Sequence, residues 1–147
     1  MDFFTAMKIG ASGLSVQRTR MNITASNLAN VDTTRTAEGG AYKPRHAIVA
    51  AVPLSQTFDE VLGDVMHDKV ASAEVVSVQA EQGQGRMVYD PQHPDANGEG
   101  NVEHPNLSVV GEMTKLSENQ IQYRASTAFY NKRMALMKYA ITEGSGG

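Results

Sequence analysis

The chain has 147 residues, of which 41% are apolar, a size and composition that suit one compact domain. Its formal net charge of −3 leaves no excess of basic residues to neutralise a phosphate backbone or an anionic membrane surface, so we expect no nucleic-acid partner and no membrane partner. It contains no cysteine, which excludes disulfides, thiolate catalysis and cysteine metal sites.

Residues 1–30 are predicted to form the first long helix, from about Phe3 to Ala29. Apolar residues recur there at alternating spacings of three and four, which lines one seam of a helix and favours packing against another helix. The seam comprises Phe4, Met7, Ala11, Leu14, Arg18, Met21, Ala25 and Leu28, and only Arg18 among them is not apolar. A second row, Ile9, Val16 and Ile23, predicts a second packing neighbour. An ordinary amphipathic core helix would show the same spacing over so few turns.

The beginning of the chain also bears on localisation. It lacks the basic and apolar regions of a cleavable secretion signal, and no apolar run approaches the roughly 20 residues that span a bilayer. We therefore expect no membrane insertion, and expect any export to use a route that reads the chain's own N-terminal residues.

Residues 31–108 are predicted to form a loop- and strand-rich insert, because they hold most of the glycine and every proline. Short extended runs at 46–52, 73–79 and 86–89 predict strands. Between the first two, a capping box at 57–60 followed by apolar residues at helical spacing predicts a short helix near 58–69. The polar, turn-prone segment that follows the third run predicts a shaped loop.

One stretch of this loop resembles a calcium-binding sequence. Asp95, Asn97, Glu99 and Gly100 match its opening, which places oxygen ligands at alternating positions before a glycine. The twelfth position, where calcium requires a bidentate glutamate, is Asn106. A plain turn explains the segment better.

Zinc binding and catalysis have equally little support. His93, His104 and Asp90 could supply ligands, but prolines separate them and no helix presents two imidazoles together. No local motif marks a hydrolytic triad or a phosphate-binding loop. We therefore predict a non-enzyme without a metal or cofactor.

Residues 109–147 are predicted to form the second long helix. Its seam comprises Met113, Leu116, Gln120, Tyr123, Thr127, Tyr130, Met134, Met137 and Ile141. Five basic residues lie on or near the opposite face, where a solvated charge row is the ordinary explanation: Lys115, Arg124, Lys132, Arg133 and Lys138. The predicted fold class is mainly α, with long N- and C-terminal helices paired as an antiparallel coiled coil around a small strand- and loop-rich insert.

Several blocks of the sequence resemble the flagella basal body rod protein family. Residues 25–36 (ASNLANVDTTRT) and 38–42 (EGGAY) look like its N-terminal signature. Residues 88–91 (VYDP) and 93–96 (HPDA), with Gly100, Pro105 and Asn106, resemble the segment that leads into the C-terminal helix of the same protein type. Residues 115–125 (KLSENQIQYRA) are more similar to a companion proximal rod protein, so the choice between the two paralogues stays open.

The resemblance implies a structural rod subunit that polymerises through its terminal helices and transmits torque. It implies export through the flagellar type III apparatus to the periplasmic basal body, with copies of itself, other rod proteins, the rod-to-ring adaptor and the export apparatus as partners. A soluble helical adaptor or secretion chaperone is the alternative function. The seams and the signature together predict an assembly interface of Phe4, Met7, Ala11, Leu14, Met21, Ala25, Asn27, Leu28, Asn30, Met113, Leu116, Tyr123, Tyr130, Met134, Met137 and Ile141.

Overall fold

A computed structural model describes residues 3–54 and 71–144 of the chain. It contains two long helices separated by a small strand-containing insert, as predicted. The elements in chain order are α1 (Phe3–Ala29), β1 (Arg45–Pro53), β2 (Ala71–Ala80), β3 (Arg86–Tyr89), β4 (Asn101–His104) and α2 (Val109–Gly144). The short helix predicted near 58–69 falls on residues outside those described.

The four strands form two separate antiparallel hairpins. Arg45 lies opposite Ala80 in the first hairpin, and a bulge at Val76 shifts the register beside Ile48. The second hairpin pairs all four residues of β3 with those of β4. Strand β4 was not predicted, because its residues follow a turn-prone segment and the hydrogen bonds that make it a strand come from β3.

Helix α1 has two neighbours within the chain, as its two apolar rows predict. It packs against α2 and against both strands of the first hairpin, whereas α2 packs against α1 alone among the described helices and strands. The contacts between the helices run in opposite chain order: Asn27 meets Glu112, Gln17 meets Gln122, and Gly10 lies beside Tyr130. The first hairpin and α2 are therefore held together through α1.

A buried amide joins these elements where α1 ends. Asn27 is only 4% exposed, and its Oδ1 accepts hydrogen bonds from the Tyr42 hydroxyl (3.0 Å) and the Arg45 amide (2.9 Å). Its Nδ2 donates to the Arg45 carbonyl (2.9 Å) and to Glu112 Oε2 (3.2 Å). The side chain thus uses its two acceptor and two donor positions to connect α1, the following loop, β1 and α2.

Glu112, in the first turn of α2, is slightly more buried than Asn27, at 3% exposure. Its Oε1 accepts from the Lys115 ammonium at 2.7 Å, so Asn27 and Lys115 occupy one oxygen each. A carboxylate is favourable here because the helix dipole is positive at its N-terminus. Ser108 caps the same turn, since its Oγ accepts from the Gly111 amide at 3.2 Å. We call Asn27, Tyr42, Arg45, Glu112 and Lys115 the Asn27 cluster.

The loop between β3 and β4 is closed by its own hydrogen bonds. The Asp90 amide donates to the Gly100 carbonyl, and the Gly100 amide donates to the Asn97 carbonyl, both at 2.9 Å. Asn97 Oδ1 accepts from the Glu99 and Asn101 amides. The turn requires glycine at 100, where φ is +79° and an added Cβ would lie 3.0 Å from the Tyr89 ring.

Replacing Asn27 with alanine should lower the free energy of unfolding by about 2–4 kcal/mol, because several buried polar groups lose their partner at once. Urea unfolding of the purified chain would measure this. Asn22→Ala, at an exposed position of the same helix, is the matched control and should change the value by less than about 0.5 kcal/mol. Equal effects of the two substitutions would contradict the role of the cluster.

Gly100→Ala should lower the free energy of unfolding by about 1–2 kcal/mol, because alanine must adopt a left-handed backbone conformation there. Gly98→Ala in the same loop is the control, since an added Cβ at residue 98 meets nothing within 4 Å. Urea unfolding and amide exchange at Asp90 and Gly100 would compare the two variants. If Gly98→Ala proved the more damaging, the described turn would be wrong.

Candidate assembly interface

The two predicted seams are only half covered within the chain. On α1, every second seam position is partly buried, and on α2 the corresponding alternate positions are partly buried too. The covered positions are Met7, Leu14, Met21, Leu28, Leu116, Tyr123, Tyr130 and Met137, with Thr127 in addition. One helix of the same chain therefore covers about half of the other helix's seam.

The remaining seam positions face solvent. They are Phe4, Ala11, Arg18, Ala25, Met113, Gln120, Met134 and Ile141. Four of these are large apolar side chains with exposures of 65% for Phe4, 54% for Met113, 45% for Met134 and 63% for Ile141. We call these eight positions the open half-seam.

The reason for the half coverage lies in which side of each helix faces the other. Buried Val16, Thr24 and Asn27 lie on the most covered side of α1, and none of the three belongs to the predicted seam. On α2, partly buried Asn119 and buried Glu112 each precede an exposed seam residue by one position. Each helix is rotated about its own axis so that only part of its seam faces the other helix. The apolar pattern of the sequence does not reveal this rotation, because the polar Asn27 cluster determines it.

Small residues create a groove along the same helix pair. An added Cβ on Gly10 would touch the Tyr130 ring at 3.4 Å, but one on Gly13 would meet nothing within 4 Å. The resulting cavity has a volume of about 410 Å³. Its lining is mostly apolar: Ala6, Met7, Ile9, Gly10, Gly13, Ala125, Ser126, Phe129, Tyr130 and Arg133.

A polar contact interrupts the helix pair near its middle. Gln17 Nε2 donates to Gln122 Oε1 at 2.6 Å. The Oε1 atom of Gln17 is buried without a hydrogen-bond partner among the described residues. An unsatisfied buried acceptor is unfavourable, so this position weakens the contact between the helices in the isolated chain.

Several exposed apolar side chains lie outside both predicted seams. On α2 they are Val109, Val110, Ile121, Phe129, Leu136 and Tyr139. The two predicted seams give none of these residues a role. The sequence does show these large apolar residues within α2, but an interpretation based on one seam per helix does not use them. They add exposed apolar surface to α2 beyond the open half-seam.

The predicted interface residues Asn27 and Asn30 lie elsewhere. Asn27 is inside the Asn27 cluster, and Asn30 Nδ2 donates to the Ser26 carbonyl at 2.8 Å while its Oδ1 accepts from the Thr33 hydroxyl. Both amides therefore form bonds within the chain, where they terminate α1 and orient the loop that follows.

That loop contacts the loop of the second hairpin through Asp95. The Thr34 hydroxyl donates to Asp95 Oδ2 at 2.8 Å, and the Arg35 guanidinium lies 3.6 Å from Asp95 Oδ1. The two blocks that carry the family resemblance are thus joined in space.

The same contacts account for the residues considered as metal ligands. Asp95 and Asn97 direct their oxygens to protein donors, and His93 Nδ1 accepts from the Asp95 amide. The rings of His93 and His104 lie 6.4 Å apart. Across 3–54 and 71–144, no three histidine or carboxylate side chains are grouped to hold a metal ion.

Neither α1 nor α2, the two long helices of the described chain, is long and apolar enough to cross a membrane. Each of them mixes apolar residues with charged or polar ones along its whole length.

Comparison with known proteins agrees with this arrangement. The model of the flagella basal body rod protein family matches residues 7–35, which cover most of α1 and the start of the loop. Two proteins named flagellar basal-body rod protein FlgC, from Bacillus subtilis (strain 168) and Salmonella typhimurium (strain LT2), are 32% and 34% identical to the chain. Each alignment covers 98% of this chain and 99% of the relative.

The FlgC protein of Borreliella burgdorferi is 28% identical over 96% of the chain. All of these alignments include residues 115–125, so the block that resembles the companion paralogue does not separate the chain from FlgC. With relatives above 30% identity along nearly its whole length and a family signature in its first helix, the chain belongs to the flagella basal body rod protein family.

Proposed function

We propose that this chain is a structural subunit of the bacterial flagellar basal-body rod and polymerises through its two terminal helices. The observation that carries the proposal is the apolar surface that the chain's own fold leaves in solvent on both helices. It consists of the open half-seam, in which six of the eight side chains are apolar, and of the further exposed apolar residues of α2. Membership of the family and the name of its relatives support the same function.

The burial of the described residues favours a subunit that completes its packing in an assembly. Apart from Pro105, only four apolar residues are buried there: Val16, Ala41, Tyr42 and Val102. Fourteen large apolar side chains are exposed. Since full burial of one such side chain contributes about 1.5–3 kcal/mol, coverage by neighbouring copies would supply much of the stability that one chain lacks.

The helices are proposed to work as an antiparallel coiled coil that is incomplete in one chain. The opposite chain order of the contacts between α1 and α2 supports the direction, and the half coverage supports the incompleteness. A neighbour placed on the open half-seam would make a heterologous contact, which repeats around an axis instead of closing as a dimer. Torque would then be distributed over many small apolar contacts.

The division of the chain into segments 1–30, 31–108 and 109–147 is proposed to separate polymerisation from bridging. The two helical segments would build the inner packed layer, and the insert would contact adjacent subunits. The Asn27 cluster supports this division because it fixes the insert to both helices at one end. Asn27 and Asn30 would then serve assembly by orienting the helices, not by direct contact with a neighbour.

We further propose a periplasmic location in the rod after export. Other rod proteins, the rod-to-ring adaptor and the flagellar export apparatus are the partners expected beside copies of this chain. The proposal requires no catalytic step, cofactor or metal.

Replacing Leu136 with aspartate should abolish rod incorporation while leaving the helical content of the purified chain unchanged. Leu136 is 62% exposed, so its loss affects the fold little, but a charge within an apolar contact between subunits is costly. Recovery of basal bodies and swimming of a strain that lacks its own copy would measure incorporation, and circular dichroism would measure the fold.

Asn131→Asp, at an exposed polar position of the same helix, is the matched control and should assemble normally. Normal motility of the Leu136→Asp strain would refute polymerisation through this surface. Loss of helical content in that variant would call for Ile121→Asp, at 68% exposure, as a second test of the same surface.

A further inference from the structure

Charge is distributed unevenly along this chain. The two helices contain eight basic and three acidic residues, a net charge of +5. The described part of the insert, 30–54 and 71–108, contains eight acidic and four basic residues, a net charge of −4. The chain's small net charge therefore conceals two regions of opposite sign.

The positive charge is concentrated at the end of the helix pair that lies away from the Asn27 cluster. Residues 3–16 and 124–144 contain five basic residues and one acidic residue: Lys8, Arg124, Lys132, Arg133 and Lys138, with Glu143. The structure describes two ion pairs in residues 3–54 and 71–144, and neither involves a residue of this end. We call this region the basic helix end.

Apolar side chains stand among these cations. Phe129, Leu136 and Tyr139 are all more than 60% exposed. Arg133 lies over the Phe129 ring at 6.0 Å, so one cation already interacts with the apolar surface. A surface of this kind favours a partner that offers carboxylates beside apolar side chains.

The insert offers such a surface at the β3–β4 hairpin. Met87 lies opposite Glu103, and Met87 and Tyr89 are 55% and 71% exposed. Glu103 lies between two grooves of about 320 and 460 Å³. Glu81 and Lys43 line the first groove, Asp95 and Arg35 line the second, and Glu99 lies in the same loop as Asp95. Residues 81–104 contain five acidic residues and one basic residue, so this hairpin is acidic overall. Glu81 and Glu99 are exposed and take part in neither of the described ion pairs. We call Glu81, Met87, Tyr89, Glu99 and Glu103 the acidic hairpin face.

We propose that the acidic hairpin face of one copy docks on the basic helix end of a second copy. This inference rests on the proposed function. It specifies which two surfaces of neighbouring copies meet and what fixes the position of one copy relative to the next. Charge complementarity selects the pairing of these two surfaces. The two surfaces lie on one chain and differ from each other, so the contact is heterologous and can continue from copy to copy.

Charge reversal in both surfaces of the full-length chain tests the docking. The helix variant carries Lys132→Glu and Lys138→Glu, and the insert variant carries Glu81→Lys and Glu99→Lys; all four positions are exposed. Sedimentation of each purified chain should show self-association weakened by about fivefold at low salt, in line with the loss of two exposed ion pairs. An equimolar mixture of the two variants should recover heterologous association, because the reversed surfaces match each other.

The control is Glu118→Lys, an exposed change of charge in the half of α2 nearer the Asn27 cluster, which should associate like the wild type. Wild-type association should also weaken between about 0.05 and 0.5 M salt, since exposed ion pairs are screened. Unchanged association of both double variants, or no recovery on mixing, would overturn the proposal. Flotation with phosphatidylglycerol vesicles that depends on Lys132 and Lys138, with unchanged self-association, would instead assign the basic helix end to a lipid surface.

Rod assembly in a strain that lacks its own copy separates this inference from the function on which it rests. If the wild-type chain restores rods and the two double variants restore them equally well, the docking is wrong and the rod function stands. If the wild-type chain itself fails to enter the rod, the proposed function fails. Loss of rods in each double variant, with recovery when both are expressed together, is the result expected.

Discussion

The arrangement of this chain depends on one buried amide. Asn27 forms four hydrogen bonds with groups from the loop, β1 and α2. Loss of the amide would deprive the buried Tyr42 hydroxyl and Glu112 carboxylate, and two part-buried backbone groups of Arg45, of this partner. Leaving buried polar groups without a partner makes the position costly to change. Apolar packing alone would allow the two helices to pair with several rotations about their own axes. The hydrogen bonds of Asn27 favour one of these rotations.

That single rotation explains why the helix pair is half open. The Asn27 cluster turns Val16, Thr24 and Glu112 inward, so alternate positions of each apolar row must face outward. A chain selected for stability as a monomer would place its largest apolar residues on the inward side. Here the inward side holds two glycines and a glutamine pair beside partly buried residues such as Leu14 and Tyr130, and fourteen other large apolar side chains remain available to other chains.

The sequence was most informative where the pattern is local and repeated. The bounds of α1 and α2 and three of the four strands followed from periodicity and from the placement of glycine and proline. Strand β4 could not be predicted in this way, because its identity comes from hydrogen bonds with β3. The helix contact was predicted as a continuous seam for a related reason: periodicity shows that a residue is apolar, but it does not show which neighbour covers it. Asn27 and Asn30 were identified from the family signature, and the structure shows what their amides bind within the chain.

The small interior of the described chain bears on the export that we propose for it. A protein that buries so few apolar side chains loses little when it unfolds, so threading through a narrow channel would meet a low barrier. The apolar side chains that stay in solvent in a single chain would be buried only at the growing end of the rod, where neighbouring subunits cover them. The free energy of their burial would be released there. Addition of a subunit would then be favourable at the end of the rod and unfavourable before the subunit arrives there. Assembly itself would therefore give the movement of subunits a direction without a separate motor.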